Sequence, residues 1–505
     1  MYLSKKVNAS ERNPKRLWKR RASVSGEQPE RVHPLRMLVL IASMGLWLSF
    51  VEGCGSLNTY DERSGTAYRS FAWGAYREAA ISYERAARDA GRGEQILWQL
   101  EAAKAWQAAG EYENSREWFE RAEATLRQFE SEATVVGRDI VREGAQLLTN
   151  PGVLAYKGTY TDRILLNTYQ ALNYLALGRI EGAAVETRRA LQRQKKARET
   201  YRDEIARIQR KGANTWKQTD SDDNINVPQK GDSLARSYSK VDHAITSPAS
   251  RFINPFASVL RASVHHMRGD LEQARSELER LRKSDYKHTD IIRYEKQLNK
   301  ELERGTDPYR PNWCFVVFEN GRGPTLREER ISLILPKLGY TTVSLPSLKF
   351  RPLPYSQIQV ETSGAEPKRL TMLTSVDALF GAEFKALFPS ILARTAANYL
   401  TKEVASRAVV NQADDDTEKY LAFLATGLYK FATGRSDTRT WQSRGNGFYF
   451  KAFPIHQETS VTIDASRADG GPTEPVSVQS KKDKHLFIYI QGHTPQKLIW
   501  SASYF

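Results

Sequence analysis

Three patterns of apolar spacing divide the chain. Met37 to Val51 (MLVLIASMGLWLSFV) is a near-continuous apolar run of fifteen residues, ending just before Cys54. From there to about residue 304, apolar and small residues return at fixed offsets from four glycines, Gly74, Gly110, Gly178 and Gly269. Beyond Gly305-Thr306-Asp307-Pro308 the period shortens. Trp313–Phe318 (WCFVVF) predicts a strand and ENGRGP a turn; further strands are expected at Ile331–Leu335, Thr341–Leu345, Ile358–Glu361, Gly447–Phe453, Ser460–Asp464 and His485–Gln491. Prolines 336, 346, 352 and 354 and the Gly470-Gly471-Pro472 turn punctuate them. Helical spacing interrupts this region over about 377–407, with Pro389 marking a kink or a fresh start, and over about 417–433.

The glycine-centred pattern repeats closely. Two residues after each glycine stands Tyr76, Tyr112, Ile180 or Leu271, and five after it Ala79, Ser115, Ala183 or Ala274. Nine after come Tyr83, Phe119, Thr187 or Leu278, twelve after Ala86, Ala122, Ala190 or Leu281, and seven before Ala67, Ala103, Ala171 or Ala262. Such a unit is a helix, a turn and a second helix: glycine permits the turn, and the small residues allow close approach of the two helices. The pattern resembles the tetratricopeptide repeat, and the 36-residue interval from Gly74 to Gly110 lies near that family's period of 34. Gly110 to Gly178 spans 68 residues, with Gly144 where an intermediate turn would fall, but Pro151 breaks the unit and makes it a helical connector. A polar stretch over about 212–250 accounts for the longer third interval as a surface insertion. The resemblance implies stacked hairpins forming a solenoid with a concave groove for a protein or peptide partner.

The expectation is an α+β multidomain protein. A signal segment covers 1–53, a tetratricopeptide-like α-helical solenoid 54–304, and a β-rich domain, sheet or sandwich, 305–505, with the helical pair 377–407 and 417–433 inserted in it. TYQALNYLALGRIEGAAVETRRAL, WCFVVFENGRGPTLREERISLILP, FPSILARTAANYL and the motif Asp437-Thr438-Arg439-Thr440-Trp441 together look like a family of bacterial lipoproteins with tetratricopeptide repeats and a C-terminal β-rich part, over about 150–490. That resemblance implies architecture and location and carries no activity with it.

The fifteen-residue apolar run is too short for a bilayer span, which needs about twenty residues, and suits the core of an export signal. It follows a long basic segment and ends Val51-Glu52-Gly53-Cys54, which resembles the lipobox of bacterial lipoproteins, with Glu52 an unusual charged residue at the second position before the cysteine. Cys54 is then the lipidation site, and Gly55 after it points by resemblance to the outer membrane, with the body facing the periplasm. Two or more acyl chains would moor it, each buried methylene contributing about 0.8 kcal/mol.

Charge changes little of this picture. The formal net charge is +16, but ten Lys and Arg against three acids lie within residues 1–36, and the rest is spread thinly, unlike a nucleic-acid groove. No nucleic-acid partner is expected. The strongest local feature is 188–211, ten Lys and Arg against Glu199, Asp203 and Glu204, a helix that could meet anionic lipid or polysaccharide or simply face solvent.

Candidate chemistry is sparse. Two cysteines, Cys54 and Cys314, make no disulfide framework, and no zinc pattern exists, so no metal or cofactor is expected. His265 and His266 are adjacent on a helix and cannot share a face; Cys314 in an apolar strand is a buried inert thiol by default. Asp220–Asn224 lacks the glycine and glutamate of a calcium loop, Asp414–Asp416 reads as a helix start, and Gly321-Arg322-Gly323 lacks the strand–loop–helix setting of a phosphate cradle. Asp437, Arg439 and Trp441 alternate and would share one face of a strand, as a structural or ligand cluster. The expected role is a non-catalytic interaction scaffold in the cell envelope, with an envelope polymer-binding or hydrolytic C-terminal module as the alternative.

Overall fold

The computed structural model describes residues 60–135, 155–199, 253–303 except 285, 311–335, 339–363, 365–385 with 387, 436–455 and 458–505. The export segment, Cys54, Gly144, the 212–250 insertion, Asp220–Asn224, Asp414–Asp416 and most of 377–433 lie outside them.

The protein is a mixed α+β structure. Its helices come first: α1 (Tyr60–Ala72), α2 (Tyr76–Asp89), α3 (Gln95–Ala108), α4 (Tyr112–Val135), α5 (Tyr160–Ala176), α6 (180–199), α7 (Pro255–Met267), α8 (Leu271–Lys283) and α9 (Thr289–Glu303). Four corners between them are built alike. Gly74, Gly110, Gly178 and Gly269 have φ of 82°, 79°, 71° and 82°, a region where a side chain is strained. At the first corner the Gly74 amide donates to the Phe71 carbonyl at 3.1 Å and the Ala75 amide to the Ser70 carbonyl at 2.9 Å, the paired bonds of a Schellman motif. The same two bonds recur at Gly110, Gly178 and Gly269, so each first helix has its last carbonyls satisfied as the chain reverses. Between α3 and α4 the small positions touch: Ser115 Oγ donates to the Ala103 carbonyl at 2.7 Å. Starts are fixed too, α5 by a capping box of Thr159 with Asp162 and α7 by the Asn254 side chain ahead of Pro255.

The helices are of two kinds. α2 and α8 are amphipathic and bury five residues each. α3 buries thirteen of its fourteen residues and α7 eleven of thirteen, as a helix enclosed on all sides must. What encloses them is the sheet.

The strands are β1 (Asn312–Asn320), β2 (Thr325–Leu335), β3 (Gly339–Lys349), β4 (Tyr355–Thr362), β5 (Lys368–Arg369), β6 (Met372–Ser375), β7 (Gly447–Ile455), β8 (Ser460–Arg467), β9 (Val476–Gln479), β10 (Leu486–Thr494) and β11 (Lys497–Tyr504); a helix over 376–385, α10, follows β6. A five-stranded sheet runs β11-β10-β1-β7-β6, a four-stranded sheet β5-β4-β8-β9, and β2 and β3 form a separate ribbon. Among the described residues only β1 and β10 pair in parallel; the other pairs are antiparallel.

β1 explains the layering. Trp313, Phe315 and Val317 point to the helices, while Cys314, Val316 and Phe318 point to the four-stranded sheet. A strand covered on both faces has no polar side, which is why WCFVVF shows no alternation. On the helical side Phe256 of α7 stacks on Phe448 of β7 with ring centroids 4.5 Å apart, and Tyr294 of α9 meets Trp313 at 5.4 Å. One apolar cluster therefore contains both helices and strands, and the core does not stop at the boundary expected near residue 304. Helices α1, α3, α5, α7 and α9 all place side chains on the sheet, so the inner face of the helical row is occupied by the chain's own strands.

Candidate functional site

The chemically richest place is the buried contact between helices and sheet. Lys104 lies on α3, and Glu319 at the end of β1; both side chains have 0% exposure. Lys104 Nζ is 2.8 Å from Glu319 Oε2 and also donates to Gln107 Oε1 at 2.7 Å and Gln491 Oε1 at 3.1 Å, filling its three donor positions. Glu319 Oε1 accepts from the Tyr169 hydroxyl at 2.7 Å, and Oε2 from the Tyr489 hydroxyl. Lys104 Nζ also sits 4.2 Å from the centre of the Tyr169 ring. His493 closes the group through Nδ1 and the Gly321 carbonyl at 3.1 Å and lies 3.9 Å from Glu319.

Burial governs the protonation here. It pushes Lys104 down to about 8 against the attraction of Glu319, and His493 down to about 4. For Glu319 burial acts upward, but the charges of Lys104 and His493 and the hydrogen bonds from Lys104 and Tyr489 hold the carboxyl below its ordinary value. The cluster joins a lysine, a carboxylate, two phenols and a histidine, yet each bonded group is spent on another. Its chemistry is that of a sealed clamp between α3, α5, β1 and β10.

Similar clamps continue along the interface. Glu101 accepts from the Tyr60 hydroxyl at 2.7 Å, from the Ser443 amide at 3.0 Å and from the Gln442 amide. Asp162 binds Arg444 at 3.1 Å and the Tyr156 hydroxyl at 2.6 Å, and Arg444 also donates to the Pro324 and Trp441 carbonyls. Lys451 on β7 pairs with Asp290 on α9 at 2.8 Å, and the Trp313 indole donates to Glu301 at 2.8 Å. Sequence reasoning missed all of these. The available signal was the isolated Lys104 within a helix otherwise rich in alanine and tryptophan, and Glu319 closing an apolar strand.

Of Asp437, Arg439 and Trp441 only the first two are brought together, and not on a strand: 436–446 is irregular, because its amides bond to Glu101 and the Tyr169 hydroxyl instead of a neighbouring strand. Asp437 and Arg439 form a two-point ion pair at 2.8 and 2.7 Å, and Arg439 Nη1 donates to the Gly93 carbonyl at 3.0 Å, tying the segment to the turn before α3. Trp441 points away, fully buried between Tyr169 and Phe119, with its indole nitrogen on Ser443 Oγ at 3.0 Å. His265 faces Asp270, whereas His266 is buried 4.6 Å from the Trp313 ring; they do not converge. Cys314 is buried, and burial pushes its thiol well up. Of the basic run 188–211, residues 188–199 are described: Arg193 pairs with Glu123 and Arg189 with Glu186, while Lys195 and Arg198 are exposed.

No protein-family model, curated protein or solved structure matches the chain. Among the described residues no helix is long and apolar enough to cross a membrane, and no group of three or more His, Cys, Asp or Glu could hold a metal ion.

Proposed function

We propose that the chain is an exported, lipid-anchored, non-catalytic interaction protein of the bacterial envelope, related in its helical part to tetratricopeptide-repeat proteins. The observation that carries this reading is the fourfold recurrence of one corner: glycine with positive φ, the same pair of Schellman bonds, and a second helix started two residues later. Support for a non-catalytic role comes from the interior ionisable groups, whose bonds fasten layers of the fold to each other. The inner trough that a free solenoid would offer is filled here by the five-stranded sheet, so partner binding is assigned to the outer surface. Trp73, 73% exposed beside the first corner, and Ile81, 45% exposed on α2, are its apolar marks.

Anchoring and docking are tested together. Metabolic labelling with a palmitate analogue is expected to mark the wild type and not Cys54→Ala, which also leaves the membrane fraction. A photo-crosslinking residue at 73 or 81 is expected to give discrete adducts, unlike one at the exposed Ile292 of α9. An unlabelled protein found in the cytosol overturns the reading. The alternative, an envelope polymer-binding or hydrolytic module using Asp437 and Arg439, is supported only by the partial exposure of Asp437, 33% of its side chain.

A further inference from the structure

The turn between β1 and β2, Gly321-Arg322-Gly323-Pro324, spends its glycine amides inside the protein, Gly321 on the Gly492 carbonyl and Gly323 on the Arg444 carbonyl, both at 2.8 Å. What it presents outward is Arg322. Nη1 of Arg322 donates to the Tyr68 hydroxyl at 3.0 Å, and its guanidinium lies 5.2 Å from the centre of that ring. Arg351, two residues after β3, brings a second guanidinium to 5.1 Å from the same ring. It is held there by bonds from Nη1 to the Gly323 and Gln442 carbonyls at 3.1 and 3.0 Å.

Two more cations stand beside them. In the β2–β3 ribbon Thr325 pairs with Lys349 and Arg327 with Ser347. Arg327 shares the face of Thr325, so Arg327 and Lys349 are diagonal neighbours on one side of the ribbon, and both are exposed. The four belong to one electrostatic group: besides partial burial, the charges of Arg327, Arg351 and Arg322 lower the ammonium of Lys349, and Arg351 is pushed down to about 10 by burial, with Arg322 adding to the effect.

Among the described residues none of Arg322, Arg327, Lys349 and Arg351 forms an ion pair, in contrast to Arg193, Arg444 and Lys451. Asp61, which feels the charges of Arg327 and Arg351, is bonded to Gln442 Nε2 at 2.7 Å, and burial raises its pKa against their pull. Glu328 is engaged by Arg330 and Ser344. Two guanidiniums fixed at one phenol ring, with two exposed cations beside them on the ribbon, form a positively charged receptor whose members make no ion pair among the described residues.

We propose that Arg322, Arg327, Lys349 and Arg351 bind a phosphoryl group against Tyr68. A guanidinium fork matches two oxygens of a tetrahedral oxyanion, and a phosphoryl group has enough oxygens and charge for two such forks and an ammonium. The group could be carried by a soluble phosphate ester or by a phospholipid head, which share this chemistry.

The test uses the full chain in detergent. Thermal unfolding in inorganic phosphate is compared with chloride at equal ionic strength and pH, for the wild type, for Arg327→Ala/Lys349→Ala, whose side chains hold no other element in place, and for Arg322→Ala. Phosphate is expected to raise the wild-type midpoint above chloride. Loss of charged contacts is expected to weaken the apparent affinity of the double variant by roughly tenfold or more. Co-sedimentation with phosphatidylglycerol vesicles, relative to phosphatidylcholine vesicles, separates the sources. A larger preference in the wild type than in the double variant supports a lipid head; a phosphate response without that preference supports a soluble ester. Equal midpoints in phosphate and chloride, or a double variant that keeps the full response, overturns the proposal.

Discussion

Lys104 illustrates how one residue can hold two layers together while adding little net stability. Moving an ammonium and a carboxylate out of water costs several kcal/mol each, and the 2.8 Å contact with Glu319 offsets this only because Gln107, Gln491, Tyr169 and Tyr489 complete the remaining bonds. Removing one partner is therefore worse than removing both. Lys104→Met leaves the Glu319 carboxylate buried and uncompensated, and a loss of about 3–5 kcal/mol is expected from urea unfolding at pH 7. Adding Glu319→Gln keeps an acceptor for the two tyrosines and discards the charge, so the double variant should recover most of the loss. If the two changes simply add, the pair is not coupled and the clamp description fails.

Between elements, the contact of α10 with α5 turns on a carboxylate at a helix N-terminus. Glu383 accepts from the Tyr160 amide at 2.7 Å, the Thr161 amide at 3.0 Å and the Thr161 hydroxyl at 2.8 Å. Burial still pushes it up to about 7, with the charge of Asp162 adding to the rise and the three donors opposing it. An acid whose folded pKa exceeds its unfolded value holds its proton longer in the folded state. Stability from this group thus falls as pH rises from about 4.5 to about 7. Asp377 on the same helix, raised to about 6, acts in the same direction. His485 and His493, both depressed to about 4, act oppositely, since their folded forms bind fewer protons between about 4 and 6.5. The total profile mixes these signs, and a variant separates them. Relative to wild type, Glu383→Gln should gain stability progressively across pH 4.5 to 7, by up to about 3 kcal/mol, in chemical unfolding at fixed temperature. Parallel profiles would show that Glu383 does not titrate in this window.

At the scale of the whole molecule, what could be read in advance was whatever a short segment dictates by itself. A corner with positive φ demands glycine, so Gly74, Gly110, Gly178 and Gly269 stood out; a strand buried on both faces has no polar side, so Trp313–Phe318 stood out. Contacts between distant segments leave no such mark. Lys104 and Glu319 are 215 positions apart, and nothing near either announces the other. The alternation of Asp437, Arg439 and Trp441 suggested a strand, whereas the segment's amides, those of Gln442, Ser443 and Gly445, answer to Glu101 of α3 and Tyr169 of α5. β11 was missed because Lys497–Tyr504 lies at a sheet edge, half-covered on both faces and without a clean period. The same long-range bonding predicts that the helical row cannot stand alone. In a 57–304 fragment α3 would expose a face that is now buried, and Lys104, Glu101, Asp162 and Asp290 would lose Glu319, the Gln442 and Ser443 amides, Arg444 and Lys451. A solenoid of this size with its own closed core unfolds cooperatively, while one that depends on the sheet does not. The full chain should give coincident transitions by far-ultraviolet circular dichroism and tryptophan fluorescence, and the fragment a broad, non-cooperative loss of helix. A fragment with native helicity and a sharp transition would instead mark the helices as an independent domain with an open inner face.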